Sequence, residues 1–161
     1  MLNDNRDLFI HRLVTSAEEF AWAMQCLPPN RYFVVPPDWT QLGEQSPQRV
    51  LDQLNNFERE LTVPTLRYVM EMGPALSFAA EEKDRWDIPR PEKSISDLIE
   101  ELRRLRSTEC AFIARLSPQQ WGQPYTTPWG AVSMRWVTHK TYQNTIEQAS
   151  TINGIVLASI V

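Results

Sequence analysis

The side chains whose types and spacing best suit joint chemistry are three carboxamides, Gln53, Asn144 and Gln148, the last two four residues apart and so on one face of any helix that carries them. A carboxamide offers a weakly basic carbonyl oxygen and an NH2 donor, which suits a polar ligand or another amide. It is a poor ligand for zinc or nickel, which take imidazole, thiolate or carboxylate donors. His11 and His139 are the only histidines, so a three-histidine metal site within one chain is arithmetically impossible. Cys26 and Cys110 are too far apart in sequence for a close-spaced metal pair, and two cysteines do not make a disulfide framework, so both are expected as reduced, packed thiols. No Ser-His-Asp set, phosphate-cradling glycine loop or pair of catalytic carboxylates can be assembled from spacing alone.

The elements that must position these groups read as helices. A length of 161 residues predicts one domain, residues 1–161, with a single sizeable core. A net charge of −4 gives no electrostatic reason to expect nucleic acid or anionic lipid as a partner. Asp4, Arg6, Asp7 and His11 interrupt the apolar residues of the N-terminus, so no export signal is read there and a cytoplasmic location is expected. The longest apolar run, residues 154–161, falls far short of the ~20 residues that span a bilayer, so no membrane partner is expected.

Leu8, Ile10, Leu13, Val14, Phe20, Trp22, Ala23 and Met24 recur at helical intervals, predicting a first helix over about residues 4–26. Residues 28–43 carry four prolines and several aromatics, expected to be a connector packed over the helices. Ser46-Pro47 predicts a helix start, because the hydroxyl caps free N–H groups and a proline at the first helical position sacrifices no internal bond. That second helix should run to about residue 72 with a kink or interruption at Pro64. A long connection over 75–91 permits a crossover. Ser94 and Asp97 open a third helix over about 94–116, with Glu100, Glu101, Arg103, Arg104 and Arg106 assigned to its solvated side. Residues 117–128 are expected to be a structured loop, and Ser133 to begin a fourth helix that reaches about residue 158.

The block Arg49-Val50-Leu51-Asp52-Gln53-Leu54, with Glu58 five residues after Gln53, resembles the second helix of the DinB/YfiT-like superfamily (DinB_2). Residues 127–139, Thr-Pro-Trp-Gly-Ala-Val-Ser-Met-Arg-Trp-Val-Thr-His, resemble that superfamily's loop and the start of its last helix. Residues 142–152 resemble its His-x-x-x-His helix. The resemblance implies an all-α four-helix bundle with a long crossover between helices 2 and 3, often a homodimer, holding a divalent metal between helices 2 and 4. It places Gln53, Asn144 and Gln148 where the three ligand histidines would fall, so this chain is a divergent member lacking all three. Characterised relatives include thiol-dependent S-transferases and isomerases that use bacillithiol or mycothiol.

No tightly bound nickel or zinc is therefore expected, and no other cofactor. Glu58, His139 and Tyr142 are possible pocket neighbours of the three amides. His139 lies five residues before Asn144 and so ~140° away around the helix, Glu147 is misdirected beside Gln148, and Glu58 could approach only through a rotated or kinked helix. Either the amides form a hydrogen-bonded cluster or face solvent, or they line a retained pocket for a polar ligand. The expected function is a metal-free small-molecule binding or non-catalytic protein. The alternatives are a thiol-dependent transferase or isomerase, and a dimeric interaction scaffold.

Overall fold

The computed structural model describes residues 4–71 and 86–160 and is mostly helical. Its elements are α1 (Arg6–Gln25), α2 (Pro47–Phe57), a π-helical turn (Glu58–Thr62), α3 (Val63–Glu71), α4 (Ile95–Arg115), α5 (Pro118–Gly122), an antiparallel hairpin of β1 (Pro124–Thr127) and β2 (Gly130–Ser133), and α6 (Met134–Ile160). The expected helix end near residue 72 and the connection over 75–85 lie outside the described residues.

Two predicted helix starts are local hydrogen bonds. Ser46 Oγ accepts from the Arg49 N–H at 3.2 Å, with Pro47 at the first helical position, and Ser94 Oγ accepts from the Asp97 N–H at 3.1 Å. Pro64 does not end its helix. Its ring would clash with the carbonyl four residues back, and the wider π-helical turn just before it relieves that conflict while α2 and α3 continue as one rod.

α1 packs along both α4 and α6, α2 packs on α4 and α6, and α3 packs on α4. The apolar interior is divided in two. One cluster holds Phe20, Met24, Leu51, Leu54, Leu98, Leu102 and Ile152; the other holds Phe9, Leu66, Ile113, Trp121, Met134 and Val137. Burial on α1 follows Phe9, Leu13, Ser16, Ala17, Phe20, Ala23 and Met24, whereas Leu8, Val14 and Trp22 of the expected apolar pattern are exposed.

Three further expectations are corrected. Residues 28–43 form two short 3-10 turns that pack over the helices only in part: Tyr32 and Leu42 lie against the core, whereas Phe33 and Trp39 are 58% and 77% exposed. Residues 117–128 are not all loop: Ser117 and Gln120 build a reciprocal cap on α5, and β1 follows, pairing with β2 through a turn at Pro128-Trp129 after which Gly130 adopts φ 94°. Arg106 is not on the solvated side of α4. It lies on the inward stripe Leu98, Leu102, Arg106, Glu109, Ile113, because steps of three and four residues carry that stripe straight through it.

Candidate functional site

Gln53 is half-buried on α2, and its Nε2 donates to Asp87 Oδ2 at 3.1 Å. Asn144 and Gln148 are half-buried on α6 and, among the described residues, make no side-chain hydrogen bond. The three amides are thus not joined to one another by hydrogen bonds among the described residues. His139 is exposed, its ring 6.2 Å from Phe9 and 6.4 Å from Tyr142. Tyr142 is half-buried beneath the Arg12 guanidinium, and Glu147 faces solvent.

Gln53 belongs to a network that anchors residues 86–93 to α2 and α4. Asp87 also accepts from Arg49 at 2.5 Å and from Asn56 at 3.0 Å. Asp52 is fully buried and accepts the Arg90 backbone N–H and Nε, both at 2.8 Å, together with Arg49 at 3.2 Å. Arg90 reaches on to Glu101 through two bonds of 3.0 Å, and Arg59 adds a third at 2.6 Å. Desolvation raises the Glu101 carboxyl, but Arg90 and Arg59 outweigh it and hold the group below its usual range. A cleft of about 440 Å³ opens beside Arg59, Arg90, Glu101 and Arg104. Each guanidinium nitrogen of Arg59 and Arg90 already donates to an acceptor of the protein.

Glu58 lies elsewhere, in a polar layer among the helices. The π-helical turn carries it inward, fully buried, onto Arg106 of α4, which is itself 2% exposed. Arg106 Nε donates to Glu58 Oε2 at 2.9 Å and Oε1 at 3.1 Å, and Nη2 donates to Oε1 at 2.5 Å. Nη1 donates to the Leu13 carbonyl at 2.7 Å and to Ser16 Oγ at 3.1 Å, while Nη2 also reaches Thr145 Oγ1 at 2.5 Å. One guanidinium therefore gathers oxygens from α1, the π-helical turn and α6. Beside it Thr62 and Thr141 join hydroxyls at 2.9 Å, and Thr141 and Thr145 donate back to the carbonyls of Val137 and Thr141. The i,i+4 pair of α6 that faces the interior is Thr141 and Thr145, both fully buried, rather than Asn144 and Gln148.

Glu109, one turn beyond Arg106, completes the layer. It is fully buried, and neither carboxylate oxygen has a hydrogen-bond donor among the described residues. Burial pushes its carboxyl well above the usual range, the Glu58 charge pushes the same way, and Arg106 offsets only part of this. Desolvation opposes the charge on Arg106, but the acidic groups beside it, Glu58 first, more than compensate and hold the guanidinium protonated. The neighbouring Cys110 thiol is pushed up to about 11, first of all by burial.

No protein-family model, curated protein or solved structure matches this chain. The residues present do not fit the nickel or zinc that the DinB/YfiT resemblance implies. Gln53 spends its amide N–H on Asp87 and, like any carboxamide, has only a weakly basic carbonyl oxygen left to offer a cation. Asn144 and Gln148 offer only amide oxygens, and the acidic pair inside already surrounds a positive charge. Arg106 and Glu109 were missed at the sequence level. Their signal was available: they stand at positions 106 and 109 of the apolar stripe that runs from Leu98 and Leu102 to Ile113.

Proposed function

We propose that this chain is a four-helix bundle of the DinB/YfiT-like kind that works without a transition metal, as a small-molecule binding or otherwise non-catalytic protein. What carries the reading is the Arg106 guanidinium, a cation tethered inside the helices and ligated by oxygens of Leu13, Ser16, Glu58 and Thr145. A divalent ion drawn to Glu58 and Glu109 would meet that charge at close range in a medium of low dielectric. Asn144 and Gln148 make no side-chain hydrogen bond among the described residues, which leaves half-buried amides on α6 for a polar ligand. The test is metal analysis of protein made without a histidine tag, incubated with nickel, zinc or manganese and then desalted. Substoichiometric retention is expected, and one tightly held ion per chain overturns the reading. Turnover of electrophiles with low-molecular-weight thiols, lost on Gln53→Ala or Asn144→Ala, would establish the transferase alternative instead.

A second reading, a dimeric interaction scaffold, is favoured by one observation. Val34, Val35 and Trp39 are exposed around a hollow of only about 80 Å³ floored by Ile155, Ala158 and Ser159, too small for a ligand of drug size but apolar enough for protein association. Light scattering tests it, and a monomer at high concentration removes it.

A further inference from the structure

Two buried carboxyl groups share the interior with a single cation, and hydrogen-bond bookkeeping there does not close unless a proton is added. Every guanidinium nitrogen of Arg106 already has an acceptor: Nε has Glu58, Nη1 has Leu13 and Ser16, and Nη2 has Glu58 and Thr145. Its Nε stands 3.6 Å from Glu109 Oε2, too far for a good hydrogen bond. Glu109 is left with both oxygens fully buried and, among the described residues, no donor. An ionised carboxylate so placed would lack solvation and would face the like charge of Glu58. The two carboxyl groups face the same Arg106 Nε, Glu58 Oε2 at 2.9 Å and Glu109 Oε2 at 3.6 Å. Two carboxylates, however, are both acceptors and cannot bond until one of them carries a proton.

We propose that Glu109 carries a proton at neutral pH and donates an O–H···O bond to Glu58, so that the layer holds one guanidinium, one carboxylate and one neutral acid. The proton is a ligand of the folded state, and its site is built from the π-helical turn and α4. Among the described residues, the charged and titratable groups around Glu109 are Glu58 from that turn and Arg106 and Cys110 from α4. α1 contributes the Leu13 carbonyl and Ser16 to the layer, and α6 contributes Thr141 and Thr145, none of which titrates. The direction in which burial and Glu58 push the Glu109 carboxyl agrees with this assignment.

The sign of the linkage follows. A carboxyl raised in the folded state keeps its proton where the unfolded chain has lost it, so unfolding releases a proton. Its stabilisation is complete below the unfolded carboxyl value of about 4.5 and is lost as pH rises toward the folded value. One proton released makes the folding constant fall by up to about tenfold per pH unit within that window.

The experiment compares denaturant unfolding of the wild-type protein and Glu109→Gln between about pH 5 and about pH 9, because the amide keeps the donor and shape of the neutral acid without a titrating charge. The ratio of wild-type to variant folding constants should fall with rising pH at up to about tenfold per unit, in favour of the variant on the alkaline side. A ratio independent of pH, or one that rises, overturns the proposal. A second measurement needs no variant: infrared spectra of the folded wild-type protein near neutrality should show the carbonyl stretch of a protonated carboxylic acid, shifted in D2O. Absence of that band also overturns the proposal.

Discussion

Replacing Arg106 with leucine should be the most damaging single change to the interior. The substitution removes three bonds to Glu58, two to Leu13 and Ser16 of α1, and one to Thr145, and it leaves Glu58 fully buried without its counter-charge. Breaking one partner out of a buried ion pair costs about 3–5 kcal/mol, because the remaining charge has lost both water and partner. A domain of this size has ~5–15 kcal/mol of stability, so Arg106→Leu should unfold at a much lower urea concentration, or be unfolded at 37 °C if the wild-type value is near the lower bound. The double variant Arg106→Leu/Glu58→Leu removes both charges and fills the space with apolar atoms. It should recover most of the loss, since a buried pair exchanged for packed hydrophobes is often neutral or stabilising. Urea midpoints for the wild type, both singles and the double give the coupling energy directly. A loss below about 1 kcal/mol for Arg106→Leu, or a double variant no more stable than that single, would refute the picture of a charged and desolvated pair.

Asp52→Ala should cost about 2–3 kcal/mol, because it strips a fully buried acceptor from Arg90 and Arg49. Hydrogen exchange should accelerate most at residue 90, whose backbone N–H bonds to Asp52, and equal rates there would argue that the segment is held by other means. Ser94→Ala should lower stability by about 1 kcal/mol through loss of the cap on α4, read as a shift in the thermal midpoint. Cys26 is exposed, so it should react first with an alkylating reagent. Cys110, half-buried and with its thiol pushed up to about 11, has only about one thousandth of its population as thiolate near pH 8 and should react far more slowly in the folded protein. Equal labelling by mass spectrometry would contradict the burial assigned to it.

The parts of the fold that depend on a few neighbouring residues were legible in the sequence. Ser46-Pro47 and Ser94 act through a bond three residues away, and the structure shows both bonds. Pro64 announced a disturbance of its helix, but not that a π-helical turn would absorb it and rotate Glu58 inward, since that outcome depends on what waits on α4. The hairpin was hidden by Pro124, Pro128 and Gly130, which read as loop residues although Tyr125, Thr126, Thr127 and Val132 carry strand propensity. Charge misled most. Arg106 was assigned to solvent by residue type, whereas its position on the stripe with Leu102, Glu109 and Ile113 placed it inside. No helix among the described residues is long and apolar enough to cross a membrane.

A polar layer between two apolar clusters is a poor way to gain stability and a good way to fix register. The apolar stripes of α1, α4 and α6 would tolerate a slip of one turn, about 5.4 Å, with modest loss, because leucine against leucine is much the same one turn along. Arg106 does not tolerate it. Its guanidinium takes Leu13 and Ser16 from α1, Glu58 from the π-helical turn and Thr145 from α6, and a one-turn shift of any of these leaves a buried charge or carbonyl unpaired. The same reasoning extends to the double variant. Arg106→Leu/Glu58→Leu should be nearly as stable as the wild type yet less uniquely packed, with broader side-chain NMR signals and greater dye binding to exposed apolar surface. If its spectra were as sharp as the wild type's, register would have to be set by the apolar clusters and by the Asp52–Arg90–Glu101 network instead, and the interior ion pair would contribute only the charge balance that Glu109 completes with its proton.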